Sequence, residues 1–188
     1  MTELSMHQLA QGALRELDEV FSRLPEDAAD GLLDAIVAAR TVALHGLGRE
    51  GLQMRGFAMR LFHMGRNVHV VGDMTVPPLG QGDLLFVSIG PGKLRTTETL
   101  MQIARDAGAR VALITAQPEG PAARLADVVV HLPAQTMADD QGSRQSVLPM
   151  GSLFETAQML FFEFAILKLR ERVGETAESM RARHTNLE

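Results

Sequence analysis

The sequence contains no cysteine, which excludes disulfide bonds, thiolate metal sites and a cysteine nucleophile. It also has no excess of positive charge, because 18 lysines and arginines face 23 aspartates and glutamates, for a net charge of −5. No basic surface therefore favours nucleic acid or an anionic lipid as the partner. The apolar runs are far shorter than a membrane span, and the N-terminus lacks the pattern of a signal peptide. We expect a soluble, cytoplasmic protein that binds neither membrane nor nucleic acid.

The composition that remains is that of an ordinary globular protein. The 188 residues are 46% hydrophobic and 22% charged. This length is enough for one sizeable core and short for two domains of usual size. Without a visible repeat or linker, the chain is predicted to form one domain over residues 1–188.

The pattern of apolar residues along the chain changes after about residue 40. Residues 1–40 are predicted to contain two helices, one before the break at Pro25 and one over about residues 26–39. Residues 41–133 alternate helices with short apolar runs, which predict strands at residues 42–44, 67–71, 84–87, 111–114 and 127–131. Strands that are apolar throughout indicate a parallel sheet covered on both faces. The predicted fold is therefore α/β, with a doubly wound five-stranded parallel sheet flanked by helices.

The last part of the chain is predicted to be a loop followed by a long helix. Residues 134–150 are polar, and long loops of this kind are usually functional or mobile. Residues 151–188 contain a helix over about 152–172, with Glu155 in its first turn, and then a tail. The apolar face of the first helix, together with the phenylalanines of the last, favours a homo-oligomer unless the core absorbs them. These phenylalanines are Phe154, Phe161, Phe162 and Phe164.

Two glycine-rich segments each follow a predicted strand. Residues 46–51 read G-L-G-R-E-G, and residues 90–92 read G-P-G. In an open parallel sheet, ligands bind at the carboxyl ends of the strands, near the point where strand order reverses. Glycine lets the backbone approach an anion, and the following helix offers free N–H donors. The two segments predict an anion site, although tight turns alone would also account for them.

Other chemistries fit the sequence less well. The first segment has the G-x-G-x-x-G spacing of a dinucleotide fingerprint, but only Asp73 is placed to act as its acid, and a second nucleotide-binding half is missing. The six histidines show no i,i+4 pairs, so no metal site is expected. The chain also lacks the G-x-S-x-G elbow of serine hydrolases.

Several motifs resemble the SIS (sugar isomerase) domain family, and within it the 6-phospho-3-hexuloisomerases. The main ones are F-A-M-R-L at residues 57–61, V-V-G-D at 70–73, L-P-M-G-S-L-F-E at 148–155 and the ending M-x-A-R-H-x-N-L-E at 180–188. The resemblance spans nearly the whole chain. It implies a flavodoxin-like sheet and a homotetramer or dimer. It also implies interconversion of a 3-ketose and a 2-ketose phosphate with no metal or organic cofactor.

The resemblance also implies roles for three residues. Glu155 matches the general base, which would move a proton between adjacent carbons through a cis-enediol. Arg49 matches an arginine that would steady the enediolate oxygen, and His184 matches a histidine supplied by a neighbouring subunit. The alternative is an SIS module that binds and senses a sugar phosphate, or another acidic sugar, without catalysis.

The departures from the family lie where the phosphate is expected. The family loop S-G-S-G-E-T reads I-G-P-G-K-L at residues 89–94, and G-R-S-G reads G-R-E-G at residues 48–51. The lost hydroxyls are donors that a phosphate dianion needs. Lys93, Arg95, Thr96 and free helix N–H groups are expected to compensate. Glu50 opposes a phosphate unless it pairs with Arg49, Arg55 or Lys93, or contacts sugar hydroxyls. The predicted substrate-binding residues are Gly48, Glu50, Gly90, Gly92, Lys93 and Thr96.

Overall fold

The computed structural model describes residues 4–142 and 146–187. Expectations for residues 1–3, for residues 143–145 of the polar loop and for Glu188 lie outside the described residues. The elements in chain order are α1 (Met6–Ser22), α2 (Asp30–Ala38), β1 (Val42–His45), α3 (Gly48–His63), β2 (Val68–Val70), β3 (Leu84–Ser88), α4 (Arg95–Asp106), β4 (Arg110–Thr115), a 3₁₀ helix (Pro121–Leu125), β5 (Val128–His131), α5 (Ser152–Val173) and α6 (Ala177–Ala182). In the described parts of the chain, no helix is long and apolar enough to cross a membrane.

The five strands form one parallel sheet in the order β2-β1-β3-β4-β5. This confirms the predicted doubly wound α/β fold. The chain leaves β1 for β2 on one side and returns to β3 on the other, so strand order reverses between β1 and β3. His45 at the end of β1 lies in register with Val87 near the end of β3. The carboxyl ends of these two strands therefore open a crevice between them.

Alternating side chains of the sheet enter two separate cores. Leu44, Phe86 and Ile114 face a large core built with α1, α2, α3 and α5. Ala43 and Val87 face a smaller core, covered by α4 and the 3₁₀ helix. Both faces of the central strands are consequently buried, which explains their uninterrupted apolar sequences.

The phenylalanines of α5 belong mostly to the large core. Phe154, Phe161 and Phe162 are buried, and Phe162 stacks on Phe57 of α3 with the ring centroids 4.3 Å apart. Phe164 alone of the four is exposed, to 47%. The core therefore absorbs most of the apolar surface that favoured an oligomer in the sequence. The exposed apolar side chains of α1, Met6 and Leu14 among them, remain unburied in the single chain.

One helix boundary and one additional helix differ from the sequence predictions. The second helix begins at Asp30 instead of about residue 26. Residues 26–29 form tight turns, in which the Ala28 N–H donates to the Pro25 carbonyl and the Asp30 N–H to the Asp27 carbonyl. The tail after Gly174 contains a further helix, α6, which begins with a capping box at Thr176 and Ser179.

Candidate active site

The two glycine-rich segments lie side by side at the reversal point of the sheet, as predicted. The first connects β1 to α3, which begins at Gly48, and the second follows β3. A Cβ atom on Gly51 would lie 2.4 Å from the Gly46 carbonyl oxygen, so only glycine fits there. The last glycine of the spacing that resembles a dinucleotide fingerprint is therefore required for the close packing of α3 against the end of β1.

Arg49 connects the first glycine segment to the start of α5. Its Nε lies 2.9 Å from Oε2 of Glu155, and its Nη1 donates to Oγ of Ser152 at 2.6 Å. Its Nη2 donates to the carbonyl of Met150. Met150 and Gly151 both have left-handed backbone conformations, with φ values of 57° and 81°, which turn the chain sharply into α5. The guanidinium thus holds both this turn and the carboxylate that follows it.

The Glu155 side chain is mostly buried, with 15% of its surface exposed. Burial raises the pKa of the Glu155 carboxyl above its ordinary value, while the charge and the hydrogen bond of Arg49 oppose that rise. A carboxylate with a raised pKa takes a proton more readily than an ordinary one. The pair therefore combines a base with a cation that balances its charge.

Glu50, the next residue along α3, reaches the segment after β3. Its Oε2 accepts hydrogen bonds from the hydroxyl of Ser88 and from the Gly90 N–H, the latter at 2.9 Å. Burial raises the pKa of the Glu50 carboxyl; the two hydrogen bonds lower it, and the charge of Glu155 raises it further. Among the described residues, Glu50 forms no ion pair with Arg49, Arg55 or Lys93, which are the pairings that would keep it from opposing a phosphate. Arg49 pairs with Glu155, and the donors around Glu50 are neutral.

The residues expected to compensate for the lost hydroxyls lie at the start of α4. Lys93, Arg95 and Thr96 are exposed there, and Gly92 is buried in a left-handed conformation with φ 75°. Of the backbone donors, the Leu94 N–H is already used, because it donates to Oε1 of Glu98 at 2.7 Å. The binding roles of these residues stay predictions.

His184 lies far from Glu155 within one chain. Its ring stacks on His63 with centroids 5.2 Å apart, and His63 ends α3. Fourteen residues of helix separate His63 from Arg49, which places the two about 21 Å apart. Arg183 holds the tail in this position, because it donates to the His63 carbonyl and pairs with Glu175 at 2.9 Å. The structure brings Arg49, Glu50, Gly90 and Glu155 together and leaves His184 at the opposite end of α3.

Two serines at the site are missing from the sequence-based set. Ser88 donates to Glu50, and Ser152 accepts from Arg49. The signal for Ser88 was its position as the last residue of a buried strand, two residues before the glycine segment that begins at Gly90. Ser152 follows the left-handed Gly151 and is the first residue of α5, the helix that carries the base.

In the part of the chain that the structure describes, the histidines and acidic residues are not arranged as a metal centre. Within residues 4–142 and 146–187, no three of these side chains are grouped so that they could hold a metal ion. His45 is buried at the end of β1, where burial lowers its pKa. His69 lies instead in the edge strand β2, with its Nε2 3.2 Å from Oδ1 of Asn67.

Comparison with known proteins places these residues in a family context. Residues 35–160 match the SIS domain. The 3-hexulose-6-phosphate isomerase of Bacillus subtilis is 37% identical over 175 residues, which cover 93% of this chain and 95% of that protein. A solved structure from Methanococcus jannaschii, which infers the function of a 3-hexulose-6-phosphate isomerase, has a TM-score of 0.79 and 26% identity over 96% of this chain and 97% of its own.

A more distant structure is that of the Vibrio vulnificus NanR protein complexed with ManNAc-6P. It has a TM-score of 0.73 and covers 93% of this chain and 65% of its own. At 19% identity, this similarity concerns the fold alone.

Proposed function

The chain belongs to the SIS domain family, and from this we propose that it is a phosphosugar isomerase of the 6-phospho-3-hexuloisomerase type. Such an enzyme interconverts a 3-ketohexose 6-phosphate and a 2-ketohexose 6-phosphate. The observation that carries the proposal is the Glu155–Arg49 pair at the carboxyl edge of the sheet, where the base is mostly buried and its charge is balanced.

The reaction moves two hydrogens and needs no oxidant. Glu155 takes the proton from the carbon beside the carbonyl, and a cis-enediol forms. The same carboxyl returns the proton to the adjacent carbon, while the hydroxyl proton passes from one oxygen to the other. Negative charge on the enediol oxygens is stabilised by a nearby cation.

Arg49 is the cation nearest to Glu155, and its first role is positioning. All of its described contacts, to Ser152, Met150 and Glu155, hold the start of α5. The charge of the guanidinium remains beside the carboxylate throughout the proton transfer. Arg49 therefore orients the base and steadies the enediolate electrostatically.

We include in the proposal a homotetramer or dimer in which His184 acts in the active site of a neighbouring subunit. Its distance from Glu155 within one chain supports a contribution between subunits. Mixing the inactive variants Glu155→Gln and His184→Ala should restore activity, because hybrid oligomers contain sites with both native residues. Mixtures that stay inactive although the subunits exchange would contradict the shared site.

A cytoplasmic location also belongs to the proposal. A sugar phosphate is charged and does not enter a bilayer unaided, so its enzyme is expected where the substrate is made. Fractionation of cells that express the tagged chain tests this part alone.

Proton exchange tests the catalytic role directly. In deuterium oxide, the native protein should introduce deuterium into fructose 6-phosphate, a 2-ketohexose 6-phosphate, as observed by NMR. Glu155→Gln should slow this exchange by about 10²–10⁴-fold, whereas Glu119→Gln, an exposed acid after β4, should leave it unchanged. Absence of exchange with any ketose phosphate would reject an isomerase. If the ligand still binds, the non-catalytic SIS module that senses a sugar phosphate remains.

A further inference from the structure

The Ser88 hydroxyl and the Gly90 N–H form a small set of donors at the end of β3. Both point to a single oxygen, Oε2 of Glu50. A hydroxyl and a backbone N–H that converge on one point are the kind of donors that bind an anionic oxygen. In this protein the anion is a side chain of the protein itself, supplied from the first turn of α3.

The fit of Glu50 in this position is close. A Cβ atom on Gly90 would lie 2.8 Å from Oε1 of Glu50 and 3.0 Å from the ring of Phe154. The buried Phe154 thus closes the space on one side and the carboxylate fills it on the other. A second anion cannot share these two donors while Glu50 remains in place.

The charge of Glu50 is not neutralised by a neighbouring cation. Over the described residues, Arg49 pairs with Glu155, and Glu50 is held by neutral donors without an ion pair. A phosphate dianion that approaches these donors would therefore meet an uncompensated negative charge. Glu50 opposes the phosphate in two ways, because it uses the donors and repels the charge.

We propose that Glu50 determines substrate affinity at this site as an internal competitor: its carboxylate holds the Ser88 and Gly90 donors, and the phosphate of the substrate binds there only when Glu50 is displaced. This inference rests on the proposed function, since it takes the substrate to be a sugar phosphate. It concerns binding, and it assigns Glu50 no part in the proton transfer of Glu155.

The test measures the binding of inorganic phosphate by calorimetry, which requires no turnover. Glu50→Ser removes the carboxylate and leaves the donors free, so the Kd for phosphate should fall by about tenfold or more. Glu50→Gln removes only the charge, and its amide oxygen still accepts from Gly90, so its gain should be smaller. Glu119→Gln, an exposed carboxylate at the same edge of the sheet, should change the Kd by less than about twofold.

Steady-state kinetics with fructose 6-phosphate provide the second measurement. In the Glu50 variants KM should fall in step with the Kd for phosphate, while kcat changes little. Thermal unfolding confirms that each variant is folded, and Glu50→Gln decides the matter if Glu50→Ser does not fold. Unchanged or weaker phosphate binding in the folded variants would overturn the competitor role.

The two proposals fail in distinguishable ways. Tighter phosphate binding in the Glu50 variants without any proton exchange would reject the isomerase and retain the competitor. Proton exchange that depends on Glu155, with KM and phosphate Kd insensitive to Glu50, would retain the isomerase and reject the competitor.

Discussion

Two neighbouring residues of α3, Arg49 and Glu50, contact two different regions of the site. The regions differ in how the charge of their carboxylate is balanced. Arg49 reaches the start of α5, where a cation faces the Glu155 carboxylate. Glu50 reaches the segment after β3, where a carboxylate faces neutral donors. The first region has the residues that a proton transfer needs. The second has its anion donors already in use, so chemistry and binding are governed by adjacent but separate side chains.

The largest effect should come from removing the base in the first region. Glu155→Gln keeps the shape of the side chain and loses its proton affinity, so kcat should fall by about 10²–10⁴-fold. Binding of phosphate at the second region should change little. Measurements of kcat and of the Kd for phosphate check the two expectations. A loss of phosphate binding in Glu155→Gln would mean that the two regions are not separate.

A smaller loss of kcat is expected when Arg49, which holds the start of α5 in the first region, is removed. Arg49→Ala frees the turn at Met150 and Gly151, and kcat should fall by about 10–100-fold because the base is misplaced. Arg49 lowers the pKa of Glu155, so its loss raises that pKa further. Because the base works only when ionised, the acidic limb of the kcat/KM profile should move to higher pH. Arg49→Lys, which keeps the charge, should move it less.

The packing of the second region can be tested by adding a methyl group. Gly90→Ala places a Cβ against Glu50 and the buried Phe154, and should lower the free energy of unfolding by about 1–3 kcal/mol. Adding Glu50→Ser should recover part of this loss, since one of the two clashes disappears. Gly56→Ala, which meets no atom within 4 Å in α3, is the matched control and should be neutral or stabilising. Denaturant unfolding measures these variants together with Glu50→Ser alone, and full additivity would contradict contact between residues 50 and 90.

The smallest effect concerns the stability cost of the buried Glu50 charge. The pKa of this carboxyl is raised in the folded state, so stability is highest below the ordinary pKa and falls as pH rises through the folded value. Glu50→Gln should therefore raise Tm by about 2–4 °C at pH 8, the shift that 1 kcal/mol gives in a chain of this size. The difference should disappear near pH 4. A lower Tm for the variant at pH 8 would show that the charge stabilises this region.

The fold was largely predictable because it depends on local patterns. The apolar runs near Val42, Leu84 and Val111 are buried on both faces, and their burial requires helices on each side of the sheet. The helix end at Gly174 was equally visible, since its left-handed conformation suits glycine. The start of α2 was not, because the turns at residues 26–29 depend on backbone hydrogen bonds that are not evident from side-chain periodicity.

The site was predictable as a place and less so as a set of contacts. The glycine segments located it, and the family resemblance singled out Arg49 and Glu155, which the structure brings within 2.9 Å. The partners of Glu50 could not be read from spacing, because Ser88 and Gly90 lie 38 and 40 residues away and compete with three nearby cations. Which donor a long side chain reaches is decided by the packing of α3 on β1.

The bond between Arg49 and Ser152 joins residues 103 positions apart. Contacts of such long sequence separation form late, since the intervening chain must first be ordered. During synthesis, α5 follows all five strands, so the base reaches its place only after the whole sheet has left the ribosome. Enzymatic activity would then appear only when folding is complete. Nascent chains would be inactive until α5 has docked, and chains truncated before α5 would remain inactive.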